Sequence, residues 1–232
     1  MCGICGCDDH PDHEHEQRQT AYIEQSILSE NDNYAEKNRR YFAEQQIFAL
    51  NLVSSPGSGK TTLLTNTLRH FKDHLSMAAI VGDQYTDRDA KRLQRTGVPA
   101  VQINTGKMCH LDAHHIHHAI DNLSLSSQSI LWIENIGNLV CPALFDLGEA
   151  TRVVLLSVTE GDDKPLKYPY MFQGATLLII NKLDLLPYVD FDVAACIEYA
   201  KRINPHMQVI QTTATKEQGL DQWYQWLTRA HQ

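Results

Sequence analysis

The chain has 232 residues, 43% apolar and 21% charged, enough for one large globular domain or a domain with a short extension. Its formal charge of −8, with the twelve histidines counted neutral, sets the surface as a whole against nucleic acid and anionic membranes. No run of about 18 apolar residues is present to span a bilayer.

The chain opens as MCGICGCDDHPDHEHE. Residues 1–19 form a polar segment rich in metal-ligating side chains, expected to lack structure without a ligand. It is the opposite of a basic, then apolar, secretory leader, so a cytoplasmic location is expected. In that reducing compartment the six cysteines point to metal or redox chemistry rather than a disulfide framework. Cys2, Cys5 and Cys7 are spaced C-x-x-C-x-C, with glycines that let three thiolates turn inward on one ion. With Met1 removed, the α-amine of Cys2 offers a fourth donor. Three sulfurs and one nitrogen in a plane suit Ni²⁺ better than the tetrahedral preference of Zn²⁺. A redox pair or incidental thiols are the alternative, without the βαβ surroundings a redox pair has.

Residues 20–46 read as a helical extension, with Ile23, Ile27, Leu28, Tyr34, Tyr41 and Phe42 roughly on helical spacing. A break is expected at Asn31-Asp32-Asn33. From residue 47 to 232, apolar runs alternate with amphipathic stretches. Strands are predicted at 48–54, 77–82, 100–103, 129–134, 152–158, 176–181 and 208–212, and helices at 60–71, 87–95, 111–123, 191–203 and 220–230. That alternation predicts an α/β fold with a doubly wound, mostly parallel sheet.

Ser54-Ser55-Pro56-Gly57-Ser58-Gly59-Lys60-Thr61 follows the first strand and opens a helix. It matches the phosphate-loop pattern G-x-x-x-x-G-K-[ST] except that Ser54 stands in the first glycine position. Backbone amides around Gly57, Ser58, Gly59 and Thr62 would cradle phosphates. Lys60 would reach the β- and γ-phosphates, and Thr61 would ligate Mg²⁺. Asn181-Lys182-Leu183-Asp184 ends another strand. A carboxylate at Asp184 can accept from N1–H and the exocyclic N2–H of guanine, which adenine cannot supply, so GTP is the expected nucleotide. Ala214, in Thr213-Ala214-Thr215, falls where a second base-contacting loop is expected. Asp83 and Glu134 are predicted at strand ends, where carboxylates hold magnesium or orient a water. Each could instead be a cap or a solvated loop acid.

Five of the twelve histidines fall between His110 and His118, and metal binding is the leading explanation of such clustering. Cys109 and His110 are expected to begin a helix, and Cys141 follows the strand bearing Glu134. Three such ligands leave an exchangeable position beside the nucleotide elements. His114 and His118, and likewise His110 and His114, are four apart on one helical face, so a further ion is a second candidate. His115 and His117 are expected at the solvated surface, and Cys196 in the core.

The segments NLVSSPGSGKTTLL, GDQYTDRDA, NTGKMCHLDAH, IENIGNLVCP and NKLDLLP, in that order after CGICGC, resemble the hydrogenase nickel-incorporation GTPases. The likeness covers the chain from about residue 20 onward together with its extreme N-terminus. It implies a P-loop GTPase of the signal-recognition/MinD/BioD (SIMIBI) class, slow in isolation, that dimerises with GTP. The implied partners are the maturation protein HypA, a nickel-binding chaperone and the large subunit of [NiFe]-hydrogenase. Carried onto this chain, Cys2, Cys5 and Cys7 match a tight nickel site. Cys109, His110 and Cys141 match a nickel or zinc site in the GTPase domain. His114 and His118 match histidines that bind additional Zn²⁺ in certain relatives. Lys60 and Asp89 match residues of hydrolysis. The histidine tail here is short, not the long polyhistidine tract of some members. The competing functional reading is a metal buffer with a vestigial GTPase, against which Lys60, Thr61 and Asp184 argue. A third is a translation or signalling GTPase with an incidental tail, which leaves Cys109-His110 unexplained.

Overall fold

The computed structural model describes residues 11–123 and 125–231, with side chains from residue 25 onward. The Cys2, Cys5 and Cys7 set and the side chains of His10, His13 and His15 lie outside the described residues.

Seven strands form one sheet: β1 (Phe48–Ser54), β2 (Met77–Asp83), β3 (Ala100–Asn104), β4 (Ile130–Gly137), β5 (Thr151–Ser157), β6 (Leu177–Asn181) and β7 (Gln208–Gln211). Their order is β3-β2-β4-β1-β5-β6-β7, with every neighbouring pair parallel. The helices are α1 (Pro11–Glu44), α2 (Lys60–Phe71), α3 (Arg88–Gln94), α4 (Ala113–Ile120), α5 (Cys141–Leu144), α6 (Lys164–Lys167), α7 (Pro169–Gln173), α8 (Val193–Ile203) and α9 (Leu220–His231). The doubly wound sheet expected from the sequence is therefore present, and all seven strands fall within a few residues of their predicted positions. The short helices α5, α6 and α7, too brief to carry a periodic signal, were not anticipated.

Strand alternation sorts side chains to two faces. Leu50, Leu52, Trp132, Val153, Leu155, Leu177 and Ile179 point to one face, against Leu63, Leu64 and Leu68 of α2 and Trp223 and Leu227 of α9. On the other face, Ala49, Ile80, Leu131 and Ile133 pack with Phe42 of α1 and Ile116 of α4. Beside them, Val154, Leu156, Leu178 and Ile180 pack with Phe172 of α7 and Cys196 of α8. With apolar residues on both faces, the central strands read as continuous hydrophobic runs. β1 lies between β4 and β5, where the winding reverses direction. The crevice beyond the carboxyl ends of such strands is the expected ligand position.

The long helix corrects two expectations. α1 starts at Pro11, inside the segment expected to lack structure, and runs without a break through Asn31-Asp32-Asn33. Asparagine is a poor helix former, but here it is held by tertiary contacts. Asn31 Nδ2 donates to Asp146 O and its Oδ1 accepts from Ala113 N. Asn38 Nδ2 donates to Ala113 O and Leu147 O. Buried amides with partners at the start of α4 and in the loop before β5 outweigh a local preference of a few tenths of a kcal/mol.

Candidate functional site

The turn after β1 carries Gly57 at φ 76° and Gly59 at φ 108°, backbone that side-chain-bearing residues rarely adopt. Lys60 is buried, and its Nζ donates to Ser54 Oγ at 2.7 Å. Ser58 Oγ donates to the same oxygen at 2.6 Å. Ser54, off-pattern in the sequence, is thus the anchor that holds the lysine at the loop. Burial lowers the Lys60 pKa, while Glu134, Asp89 and Glu160 oppose that shift.

Residues 56–62, 82–86 and 134–137, together with Asp89 and Arg92, line one cleft of about 560 Å³. Thr61 Oγ1 donates to Glu134 Oε1 at 2.6 Å. Burial pushes the Glu134 carboxyl up to about 7, against the pull of Lys60 and the Thr61 hydrogen bond. Glu134 Oε2 is buried and has no hydrogen-bond partner. A hydroxyl, a carboxylate with a spare oxygen and nearby Asp83 form an all-oxygen donor set that fits Mg²⁺. Asp83 lines the cleft, and its Oδ1 accepts from Tyr85 N and Thr86 N, so it also shapes the loop after β2. Asp89 lines the same cleft from the first turn of α3, and Arg92 donates to Thr62 Oγ1 at 3.2 Å.

The Asn181–Asp184 segment meets the phosphate loop directly. Buried Asn181 donates from Nδ2 to Ser58 O, and its Oδ1 accepts from Thr212 Oγ1 and Ala214 N. Lys182, at φ 64°, donates from Nζ to Gly57 O at 2.6 Å. Asp184 pairs with Lys216 Nζ at 3.2 Å. Asn181 therefore acts as a strut between loops. Ala214 is buried with its amide on Asn181 and its carbonyl on Asn66 Nδ2, so both its backbone polar groups serve the framework.

The ligand atoms of Cys109, His110 and Cys141 lie within 4.8 Å of one another. The two sulfurs are 2.8 Å apart, and Cys109 Sγ lies 3.9 Å from His110 Nδ1. Burial lowers the His110 pKa, favouring the neutral imidazole that ligates metals, and the ring stacks on Phe145 at 4.0 Å. Burial and Cys109 raise the Cys141 pKa. Two soft sulfurs and one imidazole fit Ni²⁺ or Zn²⁺. The loop before α4 meets the cleft lining where Gln84 Nε2 donates to Met108 O, and it meets the segment just after β4 where Asn138 Nδ2 donates to Cys109 O.

Several histidine expectations are corrected. Cys109 and His110 precede α4 rather than begin it, because Asp112 caps the helix at His115 N. His110 and His114 therefore share no helical face. His115 completes the reciprocal cap, its ring accepting from Asp112 N, and His117 Nδ1 lies 3.1 Å from Asn38 Oδ1, so neither is merely solvated. His114 and His118 do pair, with Nε2 atoms 3.0 Å apart on the exposed face of α4. Cys196 lies in the core as expected, its thiol pushed up to about 12 by burial.

Sequence reasoning missed the buried Glu149–Arg152 pair beneath the cysteine loops. Arg152 donates to Glu149 Oε1 and to the carbonyls of Ala143 and Phe145. Its only sequence signal is a charged residue in an apolar strand.

A family model described as "CobW/HypB/UreG, nucleotide-binding domain" matches residues 48–211. The chain is 57% identical to the hydrogenase maturation factor HypB of Azotobacter chroococcum over 213 residues, covering 92% of this chain and 70% of the relative. It superposes on the HypB crystal structure from Archaeoglobus fulgidus with TM-score 0.82 and 41% identity, covering 88% of this chain and all of that one. HypB from Helicobacter pylori in complex with nickel gives TM-score 0.82 at 41% identity, covering 87% and 95%. Among the described residues, no helix is long and apolar enough to cross a membrane.

Proposed function

Because the chain belongs to the HypB hydrogenase maturation factors of the CobW/HypB/UreG family, we propose that it is a cytoplasmic GTPase that delivers nickel to the large subunit of [NiFe]-hydrogenase, with metal transfer gated by the nucleotide. The observation that carries this reading is continuity: β4 brings Glu134 to the cleft, and the same segment reaches Cys141 seven residues later.

In this account Asp184 reads guanine. The amides from Gly57 to Thr62 hold the phosphates, and Lys60 offsets the charge that grows on them during hydrolysis. Magnesium, when bound, neutralises phosphate charge, with Thr61, Glu134 and Asp83 as its holders. Asp89 faces the cleft and orients the attacking water. Hydrolysis is slow until a partner completes the site. Nickel is the cargo. It is held by Cys109, His110 and Cys141, a site that also suits zinc, and Cys2, Cys5 and Cys7 form a second, tighter site. His114 and His118 offer an additional zinc position. GTP drives a homodimer that works with HypA and a nickel-binding chaperone.

A nickel titration of the wild type and of Cys109→Ala, with GDP or a non-hydrolysable GTP analogue, tests the reading. The analogue is expected to change the affinity of the weaker site by about 5–150-fold, the usual range of coupling between sites, and Cys109→Ala to abolish that site. Nickel binding indifferent to nucleotide would instead favour a passive metal buffer beside an independent GTPase.

A further inference from the structure

Glu134 and Asn135 are consecutive in β4, and their side chains leave opposite faces of the sheet. Glu134 meets Thr61 in the cleft. Asn135 is buried on the other face, where its Oδ1 accepts from Leu111 N at 3.1 Å and Ile136 N at 2.9 Å. Leu111 directly follows His110. The pairing of β1 with β4 shifts register here, Leu52 facing Glu134 and Ser54 facing Gly137, so β4 carries one extra residue. The Asn135 carboxamide thus bonds the amide of Ile136 at the bulge and the amide behind the metal loop with one oxygen.

The network reaches the other half of the metal site as well. Asn135 Nδ2 donates to Asn51 Oδ1 at 3.4 Å, and Asn51 Nδ2 donates to Glu149 Oε1 at 3.0 Å. Glu149 is paired with Arg152, whose guanidinium holds Ala143 O and Phe145 O at 3.3 and 3.1 Å. Those carbonyls follow Cys141, and Phe145 stacks on His110. A buried network of this kind is costly to leave half-satisfied, so a displacement at one end is passed on rather than absorbed.

We propose that Asn135 is the positioning residue through which the nucleotide cleft sets the geometry of the Cys109–His110–Cys141 site. Asn135 borders the cleft along with Glu134 and Ile136, while its carboxamide is engaged by Leu111 N, Ile136 N and Asn51 Oδ1. Movement of the β4 end with Glu134 shifts Asn135 Oδ1, and with it the Leu111 amide and the loop that presents Cys109 and His110. This rests on the nucleotide-gated reading above and names the residue that carries the coupling.

The test uses the full chain with Cys2, Cys5 and Cys7 changed to Ala, so that nickel reports the inner site alone. Nickel affinity is measured at saturating GDP and at saturating non-hydrolysable GTP analogue, and the ratio of the two is the readout. Asn135→Ala is expected to bring the ratio to within about twofold of unity, from the 5–150-fold typical of coupled sites. Asn135→Asp, which keeps the oxygen acceptor for both amides, is expected to restore most of the ratio. A uniform loss of nickel affinity in both nucleotide states would mark a merely structural role and overturn the proposal, as would a wild-type ratio in Asn135→Ala. A ratio of unity in the parent chain would overturn the gated reading itself. Should Asn135→Ala fail to fold, hydrogen exchange at the Leu111 amide of the unsubstituted chain decides: protection that differs between the two nucleotides supports the proposal, and equal protection refutes it.

Discussion

The Thr61 hydroxyl donates to Glu134 Oε1 across 2.6 Å, joining the first turn of α2 to the end of β4 and leaving Glu134 Oε2 buried without a partner. Both residues line the cleft, so the spare oxygen is placed at the site where a cation would be held.

A pH dependence follows. Glu134 would ionise near 4.5 in the unfolded chain but holds its proton to about 7 in the fold. The nucleotide-free native state therefore binds more protons between those values, and its stability falls as pH rises through that window. Glu134→Gln is expected to flatten that part of the profile in denaturant titrations. Binding a cation requires the ionised carboxylate, so magnesium-dependent nucleotide affinity should weaken as pH drops below about 7 in the wild type.

Asn181 ties Ser58, Thr212 and Ala214 together in a buried setting. Asn181→Ala leaves two donors and a carbonyl without partners and is expected to cost about 3 kcal/mol. Urea denaturation should show the midpoint falling with an unchanged slope.

A side chain at Gly137 would place its Cβ 2.8 Å from Pro56 Cα and N, both backbone atoms. Gly137→Ala must push β4 and the phosphate loop apart, at about 1–3 kcal/mol. Fluorescent-nucleotide titration is expected to show weaker GTP binding, with the far-UV dichroism of the fold retained.

Asp184→Asn exchanges one carboxylate acceptor for an amide donor. Losing charged hydrogen bonds to guanine should weaken GTP by about 10–150-fold, from about 1.5–3 kcal/mol. Xanthosine triphosphate, which offers a carbonyl where guanine has its amino group, should gain affinity in the same competition assay.

The sheet was readable because its strands are apolar runs punctuated by phosphate-loop and Asn-Lys-x-Asp motifs. Glu134 and the Cys109/Cys141 pairing were readable from strand ends and residue chemistry. What sequence could not reveal depended on partners far away in the chain. The uninterrupted α1 rests on Asn31 and Asn38 finding Asp146, Ala113 and Leu147. The delayed start of α4 depends on Asp112 and His115 closing a reciprocal cap three residues after Cys109. Arg152 opens a predicted apolar strand, and nothing local shows that its guanidinium is buried against a carboxylate and two carbonyls supplied by the chain just before it.

Under the proposed function, nucleotide and inner metal site are coupled, and coupling between binding sites is reciprocal. The most direct measurement is calorimetric titration of the GTP analogue into magnesium-loaded protein, with and without saturating nickel. Nickel is expected to change analogue affinity by the same factor by which the analogue changes nickel affinity, and Cys109→Ala is expected to erase the change. Equal analogue affinities with and without nickel in the wild type would contradict that coupling.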